Sequence, residues 1–279
     1  MKPRVVTIIQ ARTGSSRLPN KVLLPLGGRT VLERMLERVR AARHAGTIVV
    51  ATTSDAADDV LAALCRQIGA HCFRGHATDL LDRHYRAALA WQAEAVVKIP
   101  SDCPLIDPAV IDRVIGEYLE HAGTCDYVSN LHPASFPDGN DVEVMSRTAL
   151  ATAWREAHRD FEREHTTPFL WDQPQRFRLR NVSIDLPGNY AMSHRYTLDY
   201  AEDYALIRAV FDALHPRHPL FGVADILHLL EERPDLRRLN QRYLGVNWYR
   251  HHLDALHTIR PADTRLPDDP GKKYEPVTR

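Results

Sequence analysis

Apolar residues in the first half of the chain alternate between short runs and stretches of helical periodicity. Short apolar or β-branched runs predict buried strands at residues 4–9, 47–51, 72–73 and 95–99. The segments between them repeat apolar residues at helical spacing and predict helices at residues 30–43, 54–69, 78–94 and 107–123. Strands that alternate with helices are typical of βαβ units, so we expect a mostly parallel sheet.

Residues typical of helix ends support this assignment. Thr30 and Glu33 have the spacing of a capping box, which satisfies two free N–H groups at the start of a helix. Asp107 followed by Pro108 is a second helix start, because proline suits the first helical position and aspartate caps it. We therefore assign Asp107 to helix capping and not to chemistry.

The pattern changes after residue 125. Short strands are predicted at residues 127–128, 142–145 and 177–184, with a helix at 146–158 and loops rich in Pro, Asp and Gly. This segment, about 126–195, predicts an antiparallel edge or arm. Helices return at 201–214 and 223–232, and residues 256–279 are predicted to be a loosely held tail. Residues 1–255 then form one domain.

Composition narrows the classes of function. The 279 residues are 44% hydrophobic, and 36 basic residues balance 36 acidic ones, so the formal net charge is zero. This balance disfavours a protein that coats nucleic acid or an anionic membrane. No apolar run is long enough to cross a membrane, and the four cysteines lack metal or disulfide spacing. We expect a cytoplasmic protein with reduced thiols.

One cationic loop stands out in this neutral chain. Residues 10–21 follow the first predicted strand, and ligands of open α/β sheets bind beyond the carboxyl ends of the strands. Arg12, Arg17 and Lys21 supply positive charge, while Gly14 and Ser15 suit a tight turn with free N–H groups. The loop matches neither the Walker nor the dinucleotide-binding spacing. It predicts a polyphosphate site, and an ordinary solvated loop is the alternative.

Two aspartates are candidate metal ligands. Asp102 ends the predicted strand at residues 95–99, and Asp199 ends a predicted short strand at 196–199 just before a helix. A hard cation with bound phosphates needs one or two carboxylates at such a rim. Asp199 also has the alternative role of capping the following helix.

An ordered set of motifs resembles the cytidylyltransferases that activate acidic sugars. These include the 3-deoxy-manno-octulosonate and N-acylneuraminate enzymes and the branch of spore coat polysaccharide biosynthesis protein F. The motifs that carry the resemblance lie at residues 5–28, 73–83, 102–107, 136–144, 164–168 and 197–203. The chain departs from the family pattern at Asn20, where glycine is usual, and at Lys98, where arginine is expected.

The resemblance implies a single nucleotide-diphospho-sugar transferase domain with a mixed, mostly parallel sheet, a Mg²⁺ ion and a homodimer formed through the arm. It implies residue roles as well. Arg12, Lys21 and Asp102 would be catalytic, and Asp102 and Asp199 would bind the metal. The nucleotide would be bound by Ala11, Arg12, Gly14, Ser15, Arg17, Lys21, Thr52, Arg74 and Asp82. The sugar would be bound by Asp138, Glu143 and His165.

The expected reaction is attack of a sugar hydroxyl on the α-phosphate of CTP with release of pyrophosphate, which needs charge neutralisation and alignment but no covalent intermediate. Three alternatives remain open on the same fold: transfer to a sugar 1-phosphate, glycosyl transfer, and a non-catalytic nucleotide-binding subunit. The sequence does not identify the sugar.

Overall fold

A computed structural model describes residues 3–265 of the chain. Nine strands are present in this part: β1 (Val5–Gln10), β2 (Pro25–Leu26), β3 (Arg29–Thr30), β4 (Thr47–Thr53), β5 (His71–Gly75), β6 (Ala95–Pro100), β7 (Tyr127–Ser129), β8 (Glu143–Ser146) and β9 (Leu179–Asn181). The α-helices of the same residues are α1 (Val31–Ala41), α2 (Asp59–Gln67), α3 (Leu80–Ala90), α4 (Pro108–Glu120), α5 (Arg147–Glu156), α6 (Asp160–His165), α7 (Pro168–Trp171), α8 (Ala201–Leu214), α9 (Val223–Glu232) and α10 (Pro234–Arg237).

Seven strands form one sheet in the order β5-β4-β1-β6-β8-β7-β9. Strands β5, β4, β1 and β6 pair in parallel, β8 is antiparallel to both β6 and β7, and β9 pairs in parallel with β7. The predicted α/β class with a mixed, mostly parallel sheet is confirmed. Strands β2 and β3 form a separate two-stranded antiparallel sheet, which the sequence patterns did not predict.

Helices cover both faces of the large sheet because alternate strand residues point to opposite sides. Ile9 and Val50 pack with α1, α2 and α4 on one face. Val6 and Val49 pack with α3 and α5 on the other. A third apolar cluster joins α8 and α9 to β2 and the start of α1. The two faces of the central strands are therefore both buried, as expected for a parallel sheet.

The predicted arm joins the main body. Residues 126–195 supply β7, β8 and β9 to the large sheet, together with α5, α6 and α7. The strand predicted at 196–199 is wrong. That segment makes single backbone hydrogen bonds, for example from Leu198 N–H to the Asp102 carbonyl at 2.8 Å, instead of a ladder. The homodimer expected through the arm stays a prediction.

Part of the predicted tail packs on the domain. Leu256 is buried, and the Asp172 carboxylate accepts hydrogen bonds from the His257 and Thr258 N–H groups at 2.8 Å. The rest of the predicted tail, residues 266–279, lies outside the described residues. Within the described residues, none of the helices is both long and apolar enough to cross a membrane.

Helix capping at Asp107 is confirmed, and this side chain caps two helices at once. Its Oδ1 accepts from Ala109 N–H at 2.8 Å in the first turn of α4, and its Oδ2 accepts from Val223 N–H at 2.9 Å at the start of α9. One carboxylate thereby fixes the orientation of two helices and satisfies two otherwise free donors.

We expect Asp107→Ala to lower the free energy of unfolding by about 1–3 kcal/mol, because it removes one cap and leaves a second N–H without its acceptor. Asp107→Asn retains a carbonyl oxygen and should lose less. Urea unfolding followed by circular dichroism measures both variants. An alanine variant as stable as the wild type would show that water replaces the carboxylate at both helices.

Candidate active site

The loop after β1 is folded around Thr13, which the sequence analysis did not single out. The Thr13 carbonyl accepts from the N–H groups of Ser15 at 2.9 Å and Asn20 at 3.0 Å. Asn20 takes up a left-handed conformation (φ 57°), which asparagine tolerates better than most residues and which explains its use in place of glycine. The loop is thus closed on itself at the carboxyl edge of the sheet.

Asp58 anchors this loop to the neighbouring strand. Its carboxylate accepts from the Thr13 N–H at 2.8 Å, the Thr13 hydroxyl at 2.7 Å and the Thr53 hydroxyl at 2.5 Å. Burial alone would raise the pKa of Asp58, but the hydrogen bonds from the two threonines hold it below its ordinary value. Asp58 therefore keeps its charge and holds the β1 and β4 ends together.

Lys21 lies between the two predicted metal ligands. Its Nζ is 2.9 Å from a carboxylate oxygen of Asp102 and 2.9 Å from one of Asp199, and it donates to the Leu198 carbonyl at 2.7 Å. The side chain is only 11% exposed. Burial lowers the pKa of Lys21, but the two carboxylates outweigh burial and raise it, so the ammonium stays charged.

Asp199 is surrounded by cations. Arg17 pairs with its Oδ1 at 2.5 Å, where Lys21 also binds, and Arg195 pairs with its Oδ2 at 3.0 Å. Burial would raise the pKa of Asp199, but these three cations hold it well below its ordinary value. The alternative capping role is not observed, because Tyr200 is the N-cap residue of α8.

Arg195 is a functional candidate that the sequence analysis missed. It is 2% exposed and pairs with Asp138 at 2.9 Å, Asp199 at 3.0 Å and Asp203 at 3.0 Å. Asp203 also accepts from the Tyr200 and Asp199 N–H groups at the start of α8. The available sequence clue was the spacing of Arg195 from Asp199 and Asp203, four and eight residues further along the chain.

The remaining predicted phosphate-loop residues lie close to this site but make other contacts. Arg12 is exposed and forms no hydrogen bond or ion pair within residues 3–265. Ser15 Oγ accepts from the Leu18 N–H at 3.3 Å. The Ala11 N–H donates to the Ala51 carbonyl at 3.1 Å and so extends the sheet. Gly14 lacks a positive φ and a Cβ there would meet no atom within 4 Å, so the expected tight turn does not depend on it.

Of the predicted base and ribose residues, Arg74 and Asp82 bind protein groups, whereas the buried Thr52 hydroxyl has no hydrogen-bond partner within residues 3–265. Thr52 is fully buried in β4. Arg74 donates to the carbonyls of Thr53 at 3.0 Å and Asp55 at 2.9 Å. Asp82 accepts from the Trp154 indole N–H at 2.8 Å. Their roles in nucleotide binding stay predictions.

The three predicted sugar contacts make separate contacts within the protein. Asp138 pairs with Arg195. Glu143 is 1% exposed, pairs with Lys98 and accepts from the Tyr127 hydroxyl at 2.6 Å, so in this conformation it holds Lys98 and does not face solvent. His165 stacks on Trp248 with ring centroids 3.8 Å apart. Direct contact of these residues with a sugar stays a prediction.

One carboxylate oxygen of Asp102 is available to a hard divalent cation. Asp102 uses one oxygen for Lys21, and the other has only the Cys103 thiol at 3.8 Å as a partner within residues 3–265. Asp141 lies near Asp102, and burial followed by the Asp102 charge raises the pKa of Asp141 above its ordinary value. Carboxylate oxygens in such a cluster are the ligands that Mg²⁺ prefers.

Comparison with known proteins identifies the family of this chain. Residues 6–233 match the family model described as cytidylyltransferase. An uncharacterized protein of Methanocaldococcus jannaschii is 34% identical over 242 residues, covering 85% of this chain and 94% of the relative. Spore coat polysaccharide biosynthesis protein SpsF of Bacillus subtilis is 31% identical over 237 residues, covering 83% and 95%.

Further matches agree with these. A 3-deoxy-manno-octulosonate cytidylyltransferase of an Anaeromyxobacter species is 39% identical over 115 residues, which is 40% of this chain and 46% of that protein. The solved structure of a cytidylyltransferase from Leptospira borgpetersenii has a TM-score of 0.80 at 29% identity and covers 86% of this chain and 98% of its own. The resemblance drawn from the sequence motifs is confirmed, and the chain belongs to the cytidylyltransferase family.

Proposed function

We propose that this enzyme transfers CMP from CTP to a hydroxyl of an acidic 2-keto-3-deoxy sugar, with release of pyrophosphate, for the synthesis of a surface polysaccharide or glycan. The observation that carries the proposal is the position of Lys21 between Asp102 and Asp199, beside Arg17, at the rim where the loop after β1 opens. The polysaccharide and octulosonate names of the relatives above support the sugar.

In the proposed reaction the sugar hydroxyl gives its proton to water, its oxygen forms a bond to the α-phosphorus, and the bond from that phosphorus to the oxygen bridging to the β-phosphate breaks. The triphosphate repels an anionic sugar, so the enzyme must neutralise charge and align the two reactants. Lys21 and Arg17 would stabilise the departing pyrophosphate. Arg12, which has no partner in the described residues, is free to meet a phosphate.

A divalent cation is part of the proposal, with Asp102 and Asp199 as its ligands. Asp102 keeps one carboxylate oxygen that no cation binds within residues 3–265. Both oxygens of Asp199 are paired, with Arg17 and Lys21 on one and Arg195 on the other, so Asp199 would release a cation to bind the metal. Mg²⁺ would neutralise part of the triphosphate charge and polarise the phosphate oxygens.

Mass spectrometry of reactions that contain each of the four nucleoside triphosphates, MgCl₂ and a panel of sugars tests this function. We expect a CMP-sugar and pyrophosphate with CTP and an octulosonic or sialic-type acid. A product from a sugar 1-phosphate, or glycosyl transfer without pyrophosphate, would replace the proposal by one of the open alternatives. Thermal stabilisation by CTP without turnover on any sugar would indicate a non-catalytic subunit.

We expect Asp102→Asn to lower kcat by at least about 100-fold, the scale of one lost electrostatic group in a transition state. The substitution keeps the shape and removes the charge that binds Lys21 and the cation. Asp212→Asn, the same change at an exposed position of α8, serves as the control. Pyrophosphate release measures both, and near-normal release by Asp102→Asn contradicts the assignment.

Asp58→Ala should raise the KM for CTP about tenfold while changing kcat less, because it frees the Thr13 loop without touching the reacting groups. Initial-rate kinetics at varied CTP and saturating sugar separate the two constants. Asp212→Asn is again the reference variant. A loss confined to kcat would mean that Asp58 acts on the chemical step and not on the loop.

A further inference from the structure

A segment beyond the part of the chain matched by the family model closes one side of the site. Residues 240–252, here called the closing segment, follow the matched residues 6–233. Asn240 donates to the Arg195 carbonyl at 2.9 Å and to Asp203 at 2.8 Å. The Tyr243 ring stacks on Tyr200 at 3.8 Å and an interplanar angle of 2°. The first half of the closing segment is thus fixed to the residues that hold Asp199.

The second half of the closing segment is fixed as well. Arg195 donates to the Val246 carbonyl at 3.0 Å. The Asn247 side chain caps the short turn Trp248–His251 by accepting from the Tyr249 N–H at 3.1 Å. Trp248 stacks on His165, which lies on the sugar side of the site according to the sequence analysis. Arg250 therefore sits on a turn that is held on both sides.

Arg250 differs from Arg17 and Arg195 in lacking an acid partner. Within residues 3–265 it forms no ion pair, and its one hydrogen bond runs from Nη1 to the Asn247 carbonyl at 2.5 Å. Its Nε is shielded from water and has no acceptor. A shielded N–H donor without an acceptor is energetically unfavourable. An anion bound to the guanidinium would supply the missing acceptor.

The charges around Arg250 place it at the active site. Burial lowers the pKa of Arg250, and Tyr200, Arg17, Arg195 and Asp199 are all near enough to affect it further. The Arg17 guanidinium lies 5.6 Å from the centroid of the Tyr200 ring, on which Tyr243 stacks. The closing segment and the loop after β1 therefore both contact Tyr200. Arg250 thus lies near Arg17 and Arg195, on the closing segment that Arg195 holds in place.

We propose that Arg250 is a specificity-determining residue that binds an anionic group of the acceptor sugar. The inference rests on the proposed function and adds a residue that the sequence motifs do not contain. The planar guanidinium presents two parallel N–H groups to a carboxylate or a phosphate, which an ammonium cannot do. The cations of the loop after β1 remain available for the triphosphate.

The test measures acceptor binding without requiring turnover. Isothermal titration calorimetry on the full chain with MgCl₂ and a non-hydrolysable CTP analogue uses three probes: 3-deoxy-manno-octulosonate, its neutral methyl ester and a sugar 1-phosphate. We expect the wild type to prefer one anionic probe over the ester, and the preferred probe identifies the anionic group. Arg250→Gln should weaken binding of that probe about 10- to 100-fold and leave the ester unchanged.

Two further variants separate charge, shape and folding. Arg250→Lys should recover only part of the affinity, because it restores the charge without the planar donor pair. Arg238→Gln removes an exposed arginine with no described partner and should bind all probes like the wild type. Equal melting temperatures and equal affinities for the CTP analogue show that Arg250→Gln is folded with an intact nucleotide site.

The inference is overturned if Arg250→Gln binds the anionic probe as the wild type does, or if it loses affinity for the CTP analogue instead. It is also overturned if the wild type does not distinguish either anion from the ester. Failure of the proposed function is seen separately, as absence of pyrophosphate from CTP with every sugar. A wild type that releases pyrophosphate from CTP only with a neutral sugar would keep nucleotidyl transfer from CTP and reject both the acidic acceptor and the role of Arg250.

Discussion

The contact on which the site depends is a buried ammonium group shared by two carboxylates. Lys21, Asp102 and Asp199 come from three separate parts of the chain, and Lys21 would be an unpaired buried charge without the two carboxylates. An uncompensated buried charge costs several kcal/mol. The ammonium therefore ties together the side chains of three segments whose backbones are joined by the β1–β6 pairing and by the hydrogen bond from the Leu198 N–H to the Asp102 carbonyl.

Two other buried charged side chains, Asp58 and Arg195, fix the segments next to Lys21. Asp58 holds the Thr13 loop against the end of β4, and Arg195 holds Asp199 against the start of α8. Both are buried charges whose hydrogen-bonding capacity is largely satisfied, which is the condition under which a polar network rigidifies a site. The reacting groups then need little rearrangement when charge develops in the transition state.

The sequence predicted the parts of the fold that local patterns determine. The central strands β1, β4 and β6 and the helices α8 and α9 lie where periodicity placed them, and Thr30 and Asp107 cap helices as expected. The order of the strands, the joining of residues 126–195 to the main sheet and the small β2–β3 sheet depend on tertiary packing, which local propensity does not contain.

The sequence also predicted part of the candidate site, namely the residues that follow strands at one edge of the sheet. Arg17, Lys21, Asp102 and Asp199 follow strands or loops at one edge of a parallel sheet, so topology brings them together. Asp58 and Arg195 escaped prediction because each acts on a residue distant in sequence. Helix α8 begins one residue later than the capping role of Asp199 requires, and Tyr200 occupies the N-cap position. Such a difference is expected, because the ends of helices are the least predictable part of them.

The two sides of the site are built from different parts of the chain. The proposed nucleotide side uses loops that follow parallel strands and lies within the region that the family model matches, whereas the closing segment lies beyond it. The closing segment is fastened by side-chain stacking and a few hydrogen bonds, without any strand pairing. Loops on a rigid scaffold tolerate changes of sequence, so acceptor preference can change there without disturbing the buried ammonium that orders the phosphate side.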